Sequence, residues 1–192
     1  MRFPMAVLLG ALAAAAVCGA DPGSTALTYP GAGPDLPVSF VYPADWRLTE
    51  ELGGSEAYHA ARLQGPRNTD NTYTAYLVVR AFPVQPPGSR YADQRAMLNH
   101  VLTTLPDGAR VVQQATRPVG GGAADDLTFT HTIPPLHHAK RNAVKIPVKT
   151  RTLVVAHGAL LYELTYSADE RDYDTHLAAF DALLASLQFA SP

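Results

Sequence analysis

The chain has 192 residues, with 15 Lys and Arg against 17 Asp and Glu, a formal net charge of −2 and a single cysteine. That balance argues against general nucleic-acid binding, which needs a basic face. A lone cysteine excludes an internal disulfide and a Cys-ligated structural zinc, so a hydrophobic core must carry the stability.

Residues 1–20 join an early Arg2 to an apolar run rich in Ala and Leu that ends in small residues, the pattern of an export signal. The run is short for a membrane span, and no later stretch approaches the roughly 20 apolar residues such a helix needs. Cys18 is a candidate lipidation site, because it sits where a bacterial lipoprotein carries its lipid. Val17 and Ala15 depart from that pattern, and cleavage after Ala16 or Ala20 fits as well. Export predicts a periplasmic or extracellular protein, lipid-anchored only if Cys18 is used. Loss of Arg2 with the signal moves the net charge to −3. Residues 21–37, rich in Pro and Gly, read as a flexible tether. Residues 38–190 are expected as a single domain, a size that buries roughly 68–70% of the unfolded surface.

Within that domain, 38–42 reads as a short strand, followed by a turn at Pro43-Ala44-Asp45 that delivers Trp46 to the core. WRLTEEL, AYHAARLQG and TYTAYLVVRAF read as further strands, separated by Gly53-Gly54 and the polar PRNTDN turn. Their proximity predicts an antiparallel meander. After VQPPGS, residues 89–105 place Tyr91, Leu98, Val101, Leu102 and Leu105 on one helical stripe. ARVVQQATRPV, ADDLTFTHTI and AVKIPVKTRTLVVA return to strand, the last two joined by PPLHHAKRN.

His157-Gly158 is expected as a two-residue hairpin turn, setting Val155 opposite Leu160, Leu153 opposite Tyr162 and Arg151 opposite Leu164. Leu160, Tyr162, Leu164 and Tyr166 then alternate as a strand with one buried face. Ser167 and Glu170 have the spacing of a capping box, and Asp169, Glu170 and Asp172 suit the positive end of a helix. Tyr173, Leu177, Phe180, Leu184 and Leu187 form the stripe of that helix. Helices added to an antiparallel sheet give the α+β class.

The opening FVYPADW (40–46), the closing YELTYSADERDYDTHLAAFDALLASLQF (162–189) and the order of elements between them resemble the PsbP/Mog1 superfamily, whose bacterial members include envelope proteins of the DcrB and LpqN types. The resemblance implies an α/β/α sandwich around a central antiparallel sheet, used for binding rather than chemistry. It places Trp46, Tyr162, Ser167, Tyr173, Phe180 and Ser186 at structural positions and supplies no catalytic residue. The chain has no counterpart of the basic N-terminus with which the plant protein docks on its photosystem, since PGAGPDLP lacks Lys and Arg.

Motifs for chemistry are sparse. No GxSxG elbow surrounds a serine. Val119-Gly120-Gly121-Gly122 lacks the Lys and Ser/Thr of a phosphate loop and reads as a tight turn. Asn68, Asp70 and Asn71 supply oxygens, but Tyr73 and Val79 stand where a calcium loop needs Gly and Glu. His131 alternates with Leu127, Phe129 and Ile133 as a half-buried structural residue, paired near Lys145 and far along the strand from His157. His137 and His138 form the only adjacent pair. They are the alternative reading, a metal-binding protein or metal-dependent envelope enzyme, but two ligands fall short of the three or four that zinc takes.

Lys140, Arg141, Lys145, Lys149 and Arg151 gather in and after the HHAKRN hairpin of an acidic chain. His137, His138, Lys140 and Arg141 are therefore candidate partner-binding residues, for an unidentified envelope protein or acidic ligand. The reading is an exported, non-catalytic binding or assembly module, monomeric, without cofactor or metal, and in contact with a membrane only through a lipid on Cys18.

Overall fold

In a computed structural model, the described residues are 26–30, 36–52, 58–84, 90–134 and 144–190. They form β1 (Ala26–Tyr29), β2 (Val38–Pro43), β3 (Arg47–Leu52), β4 (His59–Arg67), β5 (Thr74–Pro83), α1 (Gln94–Thr103), β6 (Arg110–Val119), β7 (Gly122–Ile133), β8 (Ile146–His157), β9 (Leu160–Asp169), α2 (Tyr173–Ser186) and β10 (Gln188–Phe189). The predicted strands correspond to β2 to β9, and the α+β class holds.

Seven strands make one antiparallel sheet in the order β3-β4-β5-β9-β8-β7-β6. Two meanders, β3 to β5 and β6 to β9, are joined along β5 and β9, where Val79 stands opposite Leu164. Strand β2, expected in the first meander, instead lies in a separate sheet between β1 and β10. The stretch read as a tether thus carries part of the fold: Tyr29 is buried with its ring stacked 4.8 Å from that of Phe40, and Leu36 is buried beside them.

Strand alternation divides the large sheet into two unlike faces. On one, Leu77 and Val79 of β5, Leu153 and Val155 of β8, and Tyr162, Leu164 and Tyr166 of β9 meet Phe40 and Tyr42 of β2 and Phe180, Leu183 and Leu187 of α2. Trp46 belongs to this core, 5% exposed, with its backbone N–H donating to the Pro43 carbonyl at 3.1 Å as the turn closes. Its ring lies so close to Gly65 that a Cβ there would sit 2.6 Å away, which is why β4 has no side chain at that point. The layer outside this face is therefore a helix and a small sheet together, rather than the helices of a simple α/β/α sandwich. On the other face stands α1, with Met97 packed among Phe82, Tyr91, Val154 and Leu161.

Three local expectations give way to tertiary contacts. The β8–β9 hairpin turns on Gly158-Ala159, with Gly158 at φ 58°, so Val155 faces Tyr162 and Leu153 faces Leu164. The shift is two residues, which preserves the shared face. His131 stands opposite Val148 rather than near Lys145. The capping box does not form. Strand β9 runs on to Asp169, and the buried Ser167 hydroxyl bonds Tyr73 at 2.8 Å and Thr150 at 2.9 Å. Helix α2 starts at Tyr173 with no side-chain cap on Asp172. The corner is held instead by the Tyr166 hydroxyl donating to the Tyr173 carbonyl at 2.6 Å, and by Asp169, which accepts from Arg171 and Asn68. A hydroxyl or carboxylate that completes a buried polar chain loses far more on exposure than a surface cap would recover.

Candidate functional site

Helix α1 is ten residues long and cannot cover a seven-stranded face. Its start is pinned. Asp93 caps it by accepting from the Ala96 N–H at 2.7 Å, and Gln94 donates to Asp125 at 2.8 Å while accepting from the Ala156 N–H at 2.9 Å. Its end, with His100, Val101 and Thr104, stands over the middle of the sheet as a wall. Between wall and sheet lies a cleft of about 420 Å³. That volume is within the range usual for small-molecule sites.

The floor is polar. Thr152 of β8 and Thr165 of β9 stand directly opposite each other, their hydroxyls 3.1 Å apart, and Thr150 stands opposite Ser167. Arg80 of β5 faces Glu163 of β9, with Nη1 donating to Oε2 at 3.1 Å. Burial works against the Arg80 cation, but the Glu163 carboxylate outweighs it and holds its pKa above the ordinary value. The Thr165 hydroxyl donates to the other Glu163 oxygen at 3.4 Å.

The walls are aromatic. Phe82 packs 5.3 Å from both Tyr58 and Tyr91, and the Arg80 guanidinium lies 5.6 Å over the Tyr58 ring. Phe129 and His131 line the other end, their rings 5.7 Å apart. Burial lowers the His131 pKa, so its ring is neutral at pH 7, and its shielded Nδ1 has no hydrogen-bond partner among the described residues. An orphaned acceptor costs less than an orphaned donor, which places the proton on Nε2. The half-buried histidine expected from alternation is present, as the end wall of a cleft.

Among known structures, the chain is similar to LpqN of Mycobacterium tuberculosis, described as involved in cell envelope biogenesis. The identity is 17% and the TM-score 0.53, over 88% of this chain and 92% of that one. At that level the likeness is one of fold. The chain is also similar to the cyanobacterial PsbP of Synechocystis, at 17% identity and TM-score 0.49, over 90% of this chain and 96% of that one. No protein-family model and no curated protein matches the sequence.

Of the predicted site residues, Cys18, His137, His138, Lys140 and Arg141 lie outside the described residues. The hairpin that carries four of them springs from the last pair of the β7–β8 ladder, Ile133 opposite Ile146. Two cations assigned to the same basic surface are engaged elsewhere. Arg151 is 14% exposed and binds Asp126 through both Nε, at 3.0 Å, and Nη2, at 2.6 Å, while the Lys149 ammonium lies 4.2 Å over the Tyr173 ring. Asn68 serves a turn, accepting from the Thr72 and Tyr73 N–H groups, with Asn71 at φ 57°. Among the described residues no three His, Cys, Asp or Glu side chains gather as a metal site.

The cleft residues went unnoticed in the sequence. Arg80, Glu163 and Thr165 alternate with apolar neighbours, and Thr150 and Thr152 sit in the polar run Lys149-Thr150-Arg151-Thr152, both of which are also what solvent-facing strand positions look like. The available signal was that Arg80, Glu163 and Thr165 fall on β5 and β9, whose opposite faces carry Leu77, Val79, Tyr162, Leu164 and Tyr166, a pattern that belongs at a sheet's centre.

Proposed function

We propose that this protein is an exported, envelope-associated binding module without catalytic activity, and that the cleft between α1 and the sheet is its binding site. The observation that carries the reading is the state of the cleft's polar groups: the floor hydroxyls bond one another, and Glu163 is held by Arg80. Groups so held are preorganised for recognition, whereas a catalytic base or nucleophile needs a partner that activates it. The export pattern of residues 1–20 and the envelope role described for LpqN support the compartment. The basic hairpin would be a second, partner-facing surface, and at its base Val144 is 86% exposed.

The test is retention of small molecules from an envelope extract, read by mass spectrometry of the washed protein. The wild type should retain compounds that Thr152→Phe, whose ring fills the floor, does not. Identical retained sets from two equally folded proteins would refute the cleft as the site.

A further inference from the structure

We infer that the cleft takes a small zwitterion bearing a ring, of the class of a free aromatic amino acid. The inference rests on the cleft being a binding site and adds what kind of molecule fits it. Its basis is the Arg80–Glu163 pair, which lies on the floor with side chains 28% and 18% exposed. At the pair itself a ligand with one charge is attracted by one member and repelled by the other, while Arg90, 2.8 Å from His100 on the helix side of the cleft, adds a second cation that favours a carboxylate. A zwitterion meets both, carboxylate toward Arg80 and ammonium toward Glu163.

The pair need not open to admit it. A guanidinium has five N–H donors, and the contact with Glu163 engages one terminal nitrogen. A carboxylate has about four acceptor positions, and those of Glu163 receive Arg80 at one oxygen and Thr165 at the other. Both groups therefore keep unfilled hydrogen-bonding capacity, and both are partly exposed. Thr152 and Thr150 continue the polar floor along the next strand, opposite Thr165 and Ser167. The half-buried Tyr58 and Tyr76 rings, backed by the buried Phe82 and Tyr91, supply apolar surface on which a ligand ring can pack, and aromatic rings also attract an ammonium group. Arg80, held against Tyr58, has little freedom left to lose on binding.

Backbone amide NMR titration of the full chain with phenylalanine, phenylacetate and phenethylamine tests this. Phenylalanine should shift the amides of Thr150, Thr152, Glu163 and Thr165, and should bind about tenfold or more tighter than either single-charge analogue, as expected when a charge-assisted hydrogen bond is lost. Equal or tighter binding of phenylacetate or phenethylamine at the same amides would overturn the zwitterion and leave the binding-module reading standing. No shift at these amides with any of the three would also overturn it, and the Thr152→Phe retention test then judges the cleft independently. The double variant Arg80→Leu/Glu163→Leu, which leaves no unpaired charge, should bind phenylalanine no better than its analogues while its melting curve stays cooperative. Retained preference in that variant would likewise overturn the assignment.

Discussion

Asp169→Asn should cost this protein roughly 2–3 kcal/mol of stability at pH 7. The Asp169 side chain is fully shielded from solvent, at 0% exposure, where β9 turns toward α2. It accepts from Arg171 Nε at 3.0 Å and Nη2 at 2.7 Å, from the Arg171 backbone N–H at 3.0 Å, and from Asn68 Nδ2 at 2.7 Å. The Arg171 hydrogen bonds, opposed by burial and assisted by Asn68, hold the carboxyl down at about 2, against an ordinary 3.8. A folded-state pKa below the unfolded one means the carboxylate's contribution is complete above the unfolded value. It is lost as the pH falls from 3.8 toward 2.

Linkage puts that contribution at roughly 2 kcal/mol at pH 7 and at about half of that at pH 3. Asparagine keeps the shape but carries no charge, and it turns one acceptor toward Arg171 as a donor. Arg171 itself is 54% exposed and still reaches Asp70 at 2.7 Å, so its charge is not stranded. Urea denaturation followed by Trp46 emission, run at pH 7 and pH 3 on both proteins, measures the gap. It should narrow by about 1 kcal/mol on acidification. A variant within 0.5 kcal/mol of wild type at pH 7, roughly the scatter of surface substitutions, or a gap that widens toward pH 3, would refute the reasoning.

Trp46→Ala should cost about 3–5 kcal/mol, because the indole is buried against Gly65 and the backbone there cannot collapse into the space. As the only tryptophan, it should show blue-shifted emission that iodide does not quench, and red-shifted, quenchable emission in the native protein would contradict its placement. Micromolar zinc or calcium should leave the melting temperature unchanged, whereas a site at a hundred times its Kd would add about 2.7 kcal/mol. A rise of several degrees with zinc, abolished by His137→Ala, would reinstate the metal reading. Reversing Lys140 and Arg141 to Glu should change stability by no more than ~0.5 kcal/mol while slowing association with an acidic partner at low salt. Unchanged association rates with such a partner would remove the hairpin as a docking surface.

Much of the architecture was legible because strands announce themselves by period two. Val38, Phe40 and Tyr42 alternate on β2 with half-buried neighbours, and on β5 Leu77, Val79 and Ala81 take one face while Val78 and Phe82, also buried, take the other. Strand β1 was not legible. Its four residues sit among Pro and Gly, and it is a strand through its ladder with β2, from Ala26 opposite Pro43 to Tyr29 opposite Phe40, which the Tyr29–Phe40 stack reinforces. Ser167 was misread for the opposite reason: Ser-x-x-Glu is a strong local signal, and a buried tyrosine and threonine 94 and 17 residues away outcompete it. Arg151 looked like a surface cation because its partner, Asp126, is 25 residues earlier on a neighbouring strand. The cleft depends on two facts that no local pattern encodes, namely which face α2 and the small sheet occupy and how little of the other face α1 covers.

The polar floor of that other face is costly if covering is its whole purpose. The opposite face shows the cheaper solution, rows of Leu, Val and Tyr under α2, each large side chain contributing roughly 1.5–3 kcal/mol by burial. A half-buried ion pair seldom matches this, because desolvation consumes most of the Coulombic gain. Arg80 and Glu163 are therefore expected to serve recognition at the expense of stability, and the two single variants and the double variant separate those roles. Arg80→Leu alone leaves the Glu163 carboxylate on the floor without its cation and should cost about 3 kcal/mol, at the low end for a buried pair since both partners are partly exposed. Replacing both by Leu removes the desolvation cost with the attraction, so the double variant should be within about 1 kcal/mol of wild type, or more stable. If the double variant is as destabilised as the single one, the pair holds the sheet together, and its place on the floor of the cleft says nothing about a ligand.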